Sequence, residues 1–326
     1  MTVGWRIEGH HLEHARRVVS HHAVRTPLRH VPEIHPRLWM KLETVQHTGS
    51  FKVRGALSRL ASLTPDERDL GVIAASAGNH GMGLAWAGAR LCIPVRVVVS
   101  RIAPAVKRDG IASLGAELRV VPVDGYDEAE EAAREEARRS GRVYVSPYDD
   151  PWVAAGNGGT IGLEVLEELP ETDLMVAPVG GGGLMSGLGA AVASCDGDVR
   201  LIGVQSEACP AMARSLERGH ALERCSGGPT LAEGLEGGVS PSAFANVARV
   251  VERVDLVSEK EIAEAMRRMR DELGVVAEGS AATTLAWAVT RLEDEPGTGP
   301  VVAVVTGSNV DQSVLDHVDA LTANRG

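Results

Sequence analysis

The sequence predicts an α/β protein built from two open parallel-sheet domains. Three observations carry this. Short runs rich in Val, Ile and Leu alternate with helical stretches along most of the chain. Several of these runs, Leu174–Pro178 and Val301–Val305 among them, are apolar throughout, as strands covered on both faces are. The alternation comes in two blocks, the first compact and spanning about residues 68 to 148. With 326 residues the chain is long enough for two modest domains. The expected division is a large domain from residues 1–67 and 149–326, with a small α/β domain, residues 68–148, inserted in it.

In the first block Val72–Ala75 reads as a strand and about His80 to Arg90 as a helix. Val95–Val99 is a second strand, Ala105–Leu114 a helix and Leu118–Val121 a third strand. Asp127–Arg139 is dominated by Ala, Glu and Arg, all good helix formers, and Gly141 stands where a C-terminal cap belongs. Val143–Val145 closes the block. In the second block Leu174–Pro178, Val199–Gln205 and Val301–Val305 read as strands, and Glu259–Glu272 and Ser280–Arg291 as helices.

Composition narrows the function. Hydrophobic residues make up 44% and charged residues 24%, an ordinary globular balance. The net charge is −11 with both signs mixed, and the aromatics number five Trp, three Tyr and two Phe. Nucleic-acid binding, which needs a basic face, is therefore not expected. No apolar run reaches the roughly 18–20 residues that cross a bilayer. The opening stretch MTVGWRIEGHHLEHARRVVSHH has no apolar signal core, so no membrane contact and a cytoplasmic address are expected. Cys92, Cys195, Cys209 and Cys225 lie far apart without a CxxC pair and read as reduced structural thiols. His10, His11 and His14 have helical spacing, but no acidic or cysteine partner completes a metal set, so a solvated helix face is expected. Glu128–Glu136 reads as an exposed helix face, and Asp149 and Asp150 as a turn and cap before Pro151.

Four clusters carry chemistry, each at a strand end or a helix start, where α/β proteins place ligands. Thr48-Gly49-Ser50-Phe51-Lys52 offers a lysine, the usual Schiff-base residue once its amine is deprotonated. Ser76-Ala77-Gly78-Asn79-His80-Gly81 lies between a strand and a helix, where backbone N–H groups bind anions such as carboxylates. Gly180-Gly181-Gly182-Gly183 stands between the strand Leu174–Pro178 and a helix from Leu184, and lets several N–H groups converge on one phosphate. Gly181 and Gly183 could start a dinucleotide fingerprint, but Met185 and Ser186 follow, with Gly187 next and only a weak acidic follow-up, which argues against a nucleotide-binding oxidoreductase. Thr306-Gly307-Ser308-Asn309 follows the last strand and offers a hydroxyl.

Together these clusters resemble the fold-type II pyridoxal 5'-phosphate (PLP) enzymes, whose architecture is that of the tryptophan synthase β chain. Within them the chain resembles the serine/threonine dehydratases, the catabolic threonine dehydratases in particular. The resemblance runs from Thr26-Pro27-Leu28 to Thr306-Gly307-Ser308-Asn309-Val310-Asp311, through Lys41-Leu42-Glu43 and Thr48-Gly49-Ser50-Phe51-Lys52-Val53-Arg54-Gly55-Ala56. It implies that Lys52 carries PLP as a Schiff base and that Phe51 packs near its ring. It also implies that Gly180, Gly181, Gly182 and Gly183 cradle its phosphate and that Asn79 donates to its 3'-oxygen. Thr306 takes the place beside the pyridine nitrogen, where a neutral hydroxyl suits β-elimination over transamination. Ser76 and the segment Ala77, Gly78, Asn79 and His80 take the substrate carboxylate.

The reaction implied is conversion of a small β-hydroxy amino acid, L-threonine or L-serine, to a 2-oxo acid and ammonia. Alternatives on the same fold are dehydration of 3-hydroxyaspartate or of an osmolyte-derived hydroxy amino acid, serine racemase activity and a threonine synthase-like replacement. Racemases of this fold carry a second serine where Ala77 stands, and a divalent ion on an acidic pair where Gln205 and Ala211 stand, so racemisation and that metal site are not expected. Gly156-Asn157-Gly158-Gly159-Thr160 departs from the usual AGQGT run by one residue and an Asn. The chain ends at Gly326, soon after the last motif, so the regulatory domain of biosynthetic threonine dehydratases is not expected. A homodimer is implied.

Overall fold

The computed structural model describes residues 5–195, 198–225 and 227–323; the first four residues of the opening stretch and Gly326 lie outside them. Two sheets organise the chain. β1 (Leu28–His30) and β2 (Leu38–Leu42) open the larger one. β3 (Val72–Ala75), β4 (Val95–Ser100), β5 (Glu117–Val121) and β6 (Val143–Tyr144) form the smaller one, in the order β5-β4-β3-β6 and all parallel. β7 (Leu174–Pro178), β8 (Arg200–Ser206), β9 (Arg253–Val257) and β10 (Val301–Val305) complete the larger sheet. Its order is β1-β2-β10-β7-β8-β9, and only the β1–β2 pair is antiparallel.

The fully apolar runs are explained by two-sided burial. Val301, Ala303 and Val305 of β10 join a core with Trp287 and Met266. Val302 and Val304 point the other way, into a second core with Leu184 and Leu188. The small sheet is likewise covered on both faces: Val72 and Ala74 pack with Leu84 and Ile111, and Ile73 and Ala75 with Ala129, Ala133 and Ala137. A strand whose alternate side chains all face a core reads as a near-continuous apolar run.

The register sets the site. β10 lies between β2 and β7 with Val305 beside Leu42 and Val301 beside Leu174. The carboxyl ends of these parallel strands share one edge, so the loops that leave them, at residues 43–51, 179–182 and 306–311, are neighbours. A parallel sheet gathers its ligand-binding loops in this way.

The helix Tyr126–Ser140 ends on Gly141, which adopts a left-handed φ of 73° as the cap. Its acidic stretch is not one exposed face, however: Glu136 is buried and pairs with Arg96 and Arg119, reaching across to β4 and β5. On the N-terminal helix Gly9–His22, His10 is exposed as a solvated face requires, but His11 and His14 are not. His11 is 8% exposed, and the rings of His11 and His14 lie 4.4 and 4.9 Å from the Trp152 ring. His14 Nε2 is 3.0 Å from the Ser58 carbonyl, and burial holds both imidazoles below their usual range. The histidines thus act as packing residues, an arrangement that polar composition hides. Asp150 caps the helix Pro151–Ala154 through the N–H groups of Trp152 and Val153, while Asp149 accepts from Trp5. Of the cysteines, Cys209 is buried but Cys92 and Cys195 are exposed, so those two are not core thiols.

The one-residue departure at 156–160 has a physical resolution. Ala155–Gly159 winds as a π-helical turn between the helices Pro151–Ala154 and Thr160–Glu168. A π turn accommodates one extra residue without ending the helix. Asn157 Oδ1 then accepts from the Gly55 N–H at 2.8 Å, tying this turn to the helix Lys52–Ala61. A Cβ at Gly158 would sit 1.9 Å from the Leu184 carbonyl, so the turn is pressed directly onto the helix that follows the glycine run.

Candidate active site

Lys52 is the first residue of the helix Lys52–Ala61, and the loop before it is stitched to the loop after β10. The Phe51 N–H donates to the Thr306 carbonyl at 3.0 Å, and the Ser308 N–H to the Gly49 carbonyl at 2.8 Å. Gly49 adopts a left-handed φ of 68°, and a Cβ there would lie 2.7 Å from Asn309 Oδ1. Two segments about 250 residues apart in sequence are thereby held as one platform, with Lys52, Phe51 and Thr306 on it. Thr306 is buried at 3% exposure and Phe51 at 8%.

The Lys52 amine donates to the Pro147 carbonyl at 3.2 Å and lies 5.0 Å from the centre of the Phe51 ring. Burial pushes this ammonium down to about 8, and the opposing attraction of Glu278 only partly offsets the desolvation. An amine with that pKa has a reactive lone pair near neutral pH.

The glycine run lies across from it. A Cβ at Gly181 would lie 2.4 Å from Tyr148 Cγ and one at Gly183 2.8 Å from Tyr148 Cα. One at Gly180 would lie 3.2 Å from the Gly234 carbonyl, and Gly182 has a φ of 94°. The helix Gly183–Ala193 starts from this run, so its first N–H groups have no partner within the helix and point back over it. Tyr148 follows Pro147 directly, so the segment that holds the lysine amine also packs on the glycine run.

Ser76, Ala77 and Gly78 leave β3, and the helix Asn79–Leu91 begins on them. The Gly78 N–H donates to Ser76 Oγ at 3.2 Å, which leaves the Ser76 O–H as a donor. The His80 imidazole is buried with Nε2 3.1 Å from the Val145 carbonyl. Desolvation, followed by repulsion from Lys52, brings its pKa down to about 3, so the ring is neutral. This helix is clamped to that of the lysine: a Cβ at Gly83 would lie 3.0 Å from the Lys52 carbonyl carbon.

Lys52 and the Ser76–His80 segment are thus brought to one cleft, Tyr148 connects the glycine run to it, and Thr306 joins through the Phe51 backbone. Two further participants were not legible in the sequence. Tyr148 is one, marked by no motif of its own. Glu278 is the other: its carboxylate accepts from Asn79 Nδ2 at 3.0 and 2.9 Å and faces Lys52. It stands at the start of the helix Gly279–Arg291, where an acid reads as an ordinary helix-end charge. Gln205 is buried, and its Oε1 accepts from the Ala213 N–H at 2.9 Å.

The residues present fit a phosphorylated pyridoxal. A desolvated amine, a glycine run on which a Cβ would collide, and an amide donor across the cleft match its aldehyde, phosphate and 3'-oxygen. Among the described residues, no group of histidine, cysteine and carboxylate side chains is arranged to hold a metal ion, and no helix is long and apolar enough to cross a membrane.

Comparison with known proteins agrees. A family model described as pyridoxal-phosphate dependent enzyme matches residues 19–307. An L-threonine ammonia-lyase of Thermotoga maritima is 42% identical over 283 residues, covering 86% of this chain and 69% of that protein. A catabolic L-threonine dehydratase of Escherichia coli is 36% identical over 283 residues, covering 86% and 85%. Among solved structures, processed threonine deaminase isoform 2 from Solanum lycopersicum superimposes with a TM-score of 0.89 at 31% identity, covering 99% of this chain and 97% of that one.

Proposed function

This chain belongs to the pyridoxal-phosphate dependent enzyme family, and from that premise we propose that it is a dehydratase that converts L-threonine or L-serine to a 2-oxo acid and ammonia. The observation that carries the reading is the Lys52 amine, desolvated and held by Pro147, in a chain 42% identical to a relative named L-threonine ammonia-lyase.

The cofactor, when bound, supplies the electron sink that acidifies the substrate Cα–H. The chain does the rest. Gly180, Gly181, Gly182 and Gly183 hold the phosphate with backbone N–H groups. Phe51 would back the ring, Thr306 would offer a hydroxyl to the pyridine nitrogen, and Asn79 would donate to the 3'-oxygen. Ser76 and the helix start at Ala77, Gly78, Asn79 and His80 take the substrate carboxylate. Lys52 would take the Cα proton at Nζ as a free amine, for which a pKa of about 8 suits it near neutral pH. The β-hydroxyl then leaves as water, taking up a proton equivalent to the one Lys52 removed, and the released enamine takes up water to give the 2-oxo acid and ammonia. Ala77 presents no hydroxyl to the opposite face, which supports elimination over racemisation.

Release of 2-oxo acid by PLP-loaded protein from L-threonine, L-serine, D-serine and the 3-hydroxyaspartate isomers tests this. Turnover of L-threonine or L-serine is expected. A loaded protein inert toward both, or one that converts L-serine to D-serine faster than to pyruvate, overturns the reading. A cytoplasmic address and a homodimer belong to the same proposal. Cysteines without a disulfide support the first, and the family resemblance the second. Light scattering that finds a monomer at working concentration removes the dimer.

A further inference from the structure

A chain of one-way hydrogen bonds crosses the cleft beside Lys52. Asn309 Nδ2 donates to the Thr48 carbonyl at 2.7 Å and to Asn79 Oδ1 at 2.8 Å. Asn79 Nδ2 donates in turn to Glu278 Oε2 at 2.9 Å and Oε1 at 3.0 Å. Both ends only accept: a carbonyl at Thr48 and, when ionised, a carboxylate at Glu278. Neither asparagine amide can therefore flip without setting donor against donor or acceptor against acceptor. Glu278 is itself fixed, its N–H donating to the Gly307 carbonyl at 3.0 Å. Gly307 makes room for the carboxylate, since a Cβ there would sit 2.9 Å from Glu278 Oε1. Asn79 Nδ2 is nearly equidistant from both carboxylate oxygens, a geometry in which one N–H serves both and the second can reach out of the chain.

We infer that Glu278 is a positioning residue: as an anion it orients the Asn79 amide so that one N–H faces the 3'-oxygen of the cofactor. The inference rests on the reading of Lys52 and Asn79 given above, and extends it to a residue that touches neither substrate nor cofactor in that reading. Charge strengthens the role: the ionised carboxylate only accepts, at both oxygens, whereas a protonated Glu278 keeps one carbonyl acceptor and turns a donor toward the amide. Burial pushes this carboxyl up to about 7. The hydrogen bond from Asn79 and the charges of Lys52 and Lys107 act in the opposite direction, and Glu233 adds to the rise. These partners, on the small-sheet helices Asn79–Leu91 and Ala105–Ser113 together with Lys52, offset only part of the cost of burial, so the anion prevails above about pH 7.

The test uses Glu278→Gln and titrates PLP binding and the pH midpoint of the visible band of the bound cofactor. Cofactor affinity should fall at least tenfold. The midpoint should fall by on the order of one pH unit, because an anion near the cationic nitrogen is lost. In an Asn79→Ala background the same substitution should change affinity little, since contacting residues are non-additive. Affinity and midpoint unchanged in Glu278→Gln, or an affinity loss of the same size with and without Asn79, overturn the inference. Should Glu278→Gln not fold, Asn309→Ala frees the other end of the chain and should lower affinity in the same direction. If the wild-type protein takes up no PLP that borohydride fixes to Lys52, the reading of the site fails first, and the two failures are thereby distinguished.

Discussion

Two buried cations stand two residues apart in this chain and have opposite surroundings. Arg54 is fully enclosed, and its guanidinium meets Glu43 at 2.8 and 2.9 Å and Glu164 at 2.6 and 2.9 Å, with the Val24 carbonyl at 3.2 Å. Lys41 joins the same cluster through Glu164 at 2.7 Å. Desolvation would lower the Arg54 pKa, but Glu43 and Glu164 more than compensate and hold it above its usual value. Lys52 has one carbonyl at 3.2 Å and a carboxylate beyond hydrogen-bond reach, and it is pushed down to about 8. The same helix thus carries a charge locked in place by complete pairing and an amine left reactive by incomplete pairing. Pairing, more than burial itself, separates a structural charge from a chemical one.

The contrast is sharpest in a crossed pair of substitutions. Lys52→Ala should abolish turnover and the borohydride-stable cofactor while leaving the melting temperature of the cofactor-free protein within a few degrees or higher. Arg54→Ala should strip two buried carboxylates of their partner and cost about 3–5 kcal/mol of stability. Differential scanning calorimetry of the two cofactor-free variants reads this directly. An Arg54→Ala protein as stable as wild type, or measurable turnover in Lys52→Ala, breaks the distinction.

The sequence made the paired side of this contrast harder to see than the reactive side. Lys52 sits in a signature, and β3, β7 and β10 are bare apolar runs whose two-sided burial is visible as composition. The Arg54 cluster draws on β2, the segment at Thr26 and the helix Thr160–Glu168, which only tertiary structure brings together. β2 carries Lys41 in its buried stretch and so does not look apolar. β9, with Arg253 and Asp255 paired along it, alternates too weakly to read as a strand. Glu278 escaped for a related reason: its partner Asn79 is about 200 residues away, Asn309, which holds Asn79, lies about 230 residues beyond that asparagine, and no local pattern joins them.

Proton linkage offers a finer test. A lysine whose pKa falls from its ordinary 10.5 to about 8 on folding binds fewer protons folded than unfolded between those values. Stability of the cofactor-free protein should therefore rise with pH from about 8 to 10.5. Glu278, raised from 4.5 to about 7, has the opposite sign: the folded state holds its proton longer, so its contribution is lost as pH rises through that window. Denaturant titrations across pH should show a decline between about 4.5 and 7 that Glu278→Gln removes, and a recovery above 8 that Lys52→Met removes. A Lys52→Met curve that still recovers above 8 assigns the rise elsewhere.

The smallest effect should come from the ion pair that crosses the same cleft at its rim. Lys107, on the helix Ala105–Ser113, donates to Glu233 at 3.1 Å, and the two side chains are 35% and 63% exposed. Solvent screens such a pair and side-chain entropy opposes it, so Lys107→Ala should cost about 0.2–1 kcal/mol, less in high salt. Lys107 also lies close enough to favour the ionised form of Glu278, so the same substitution should move the lower limb of the stability–pH curve slightly upward in pH. The rim charge would then resemble neither Arg54 nor Lys52: too wet to hold the fold, too distant to react, and felt only through the buried carboxyl it faces. A Lys107→Ala loss of several kcal/mol would mean that the cleft depends on its rim, and that the hydrogen-bonded chain from Thr48 to Glu278 does not suffice to hold it.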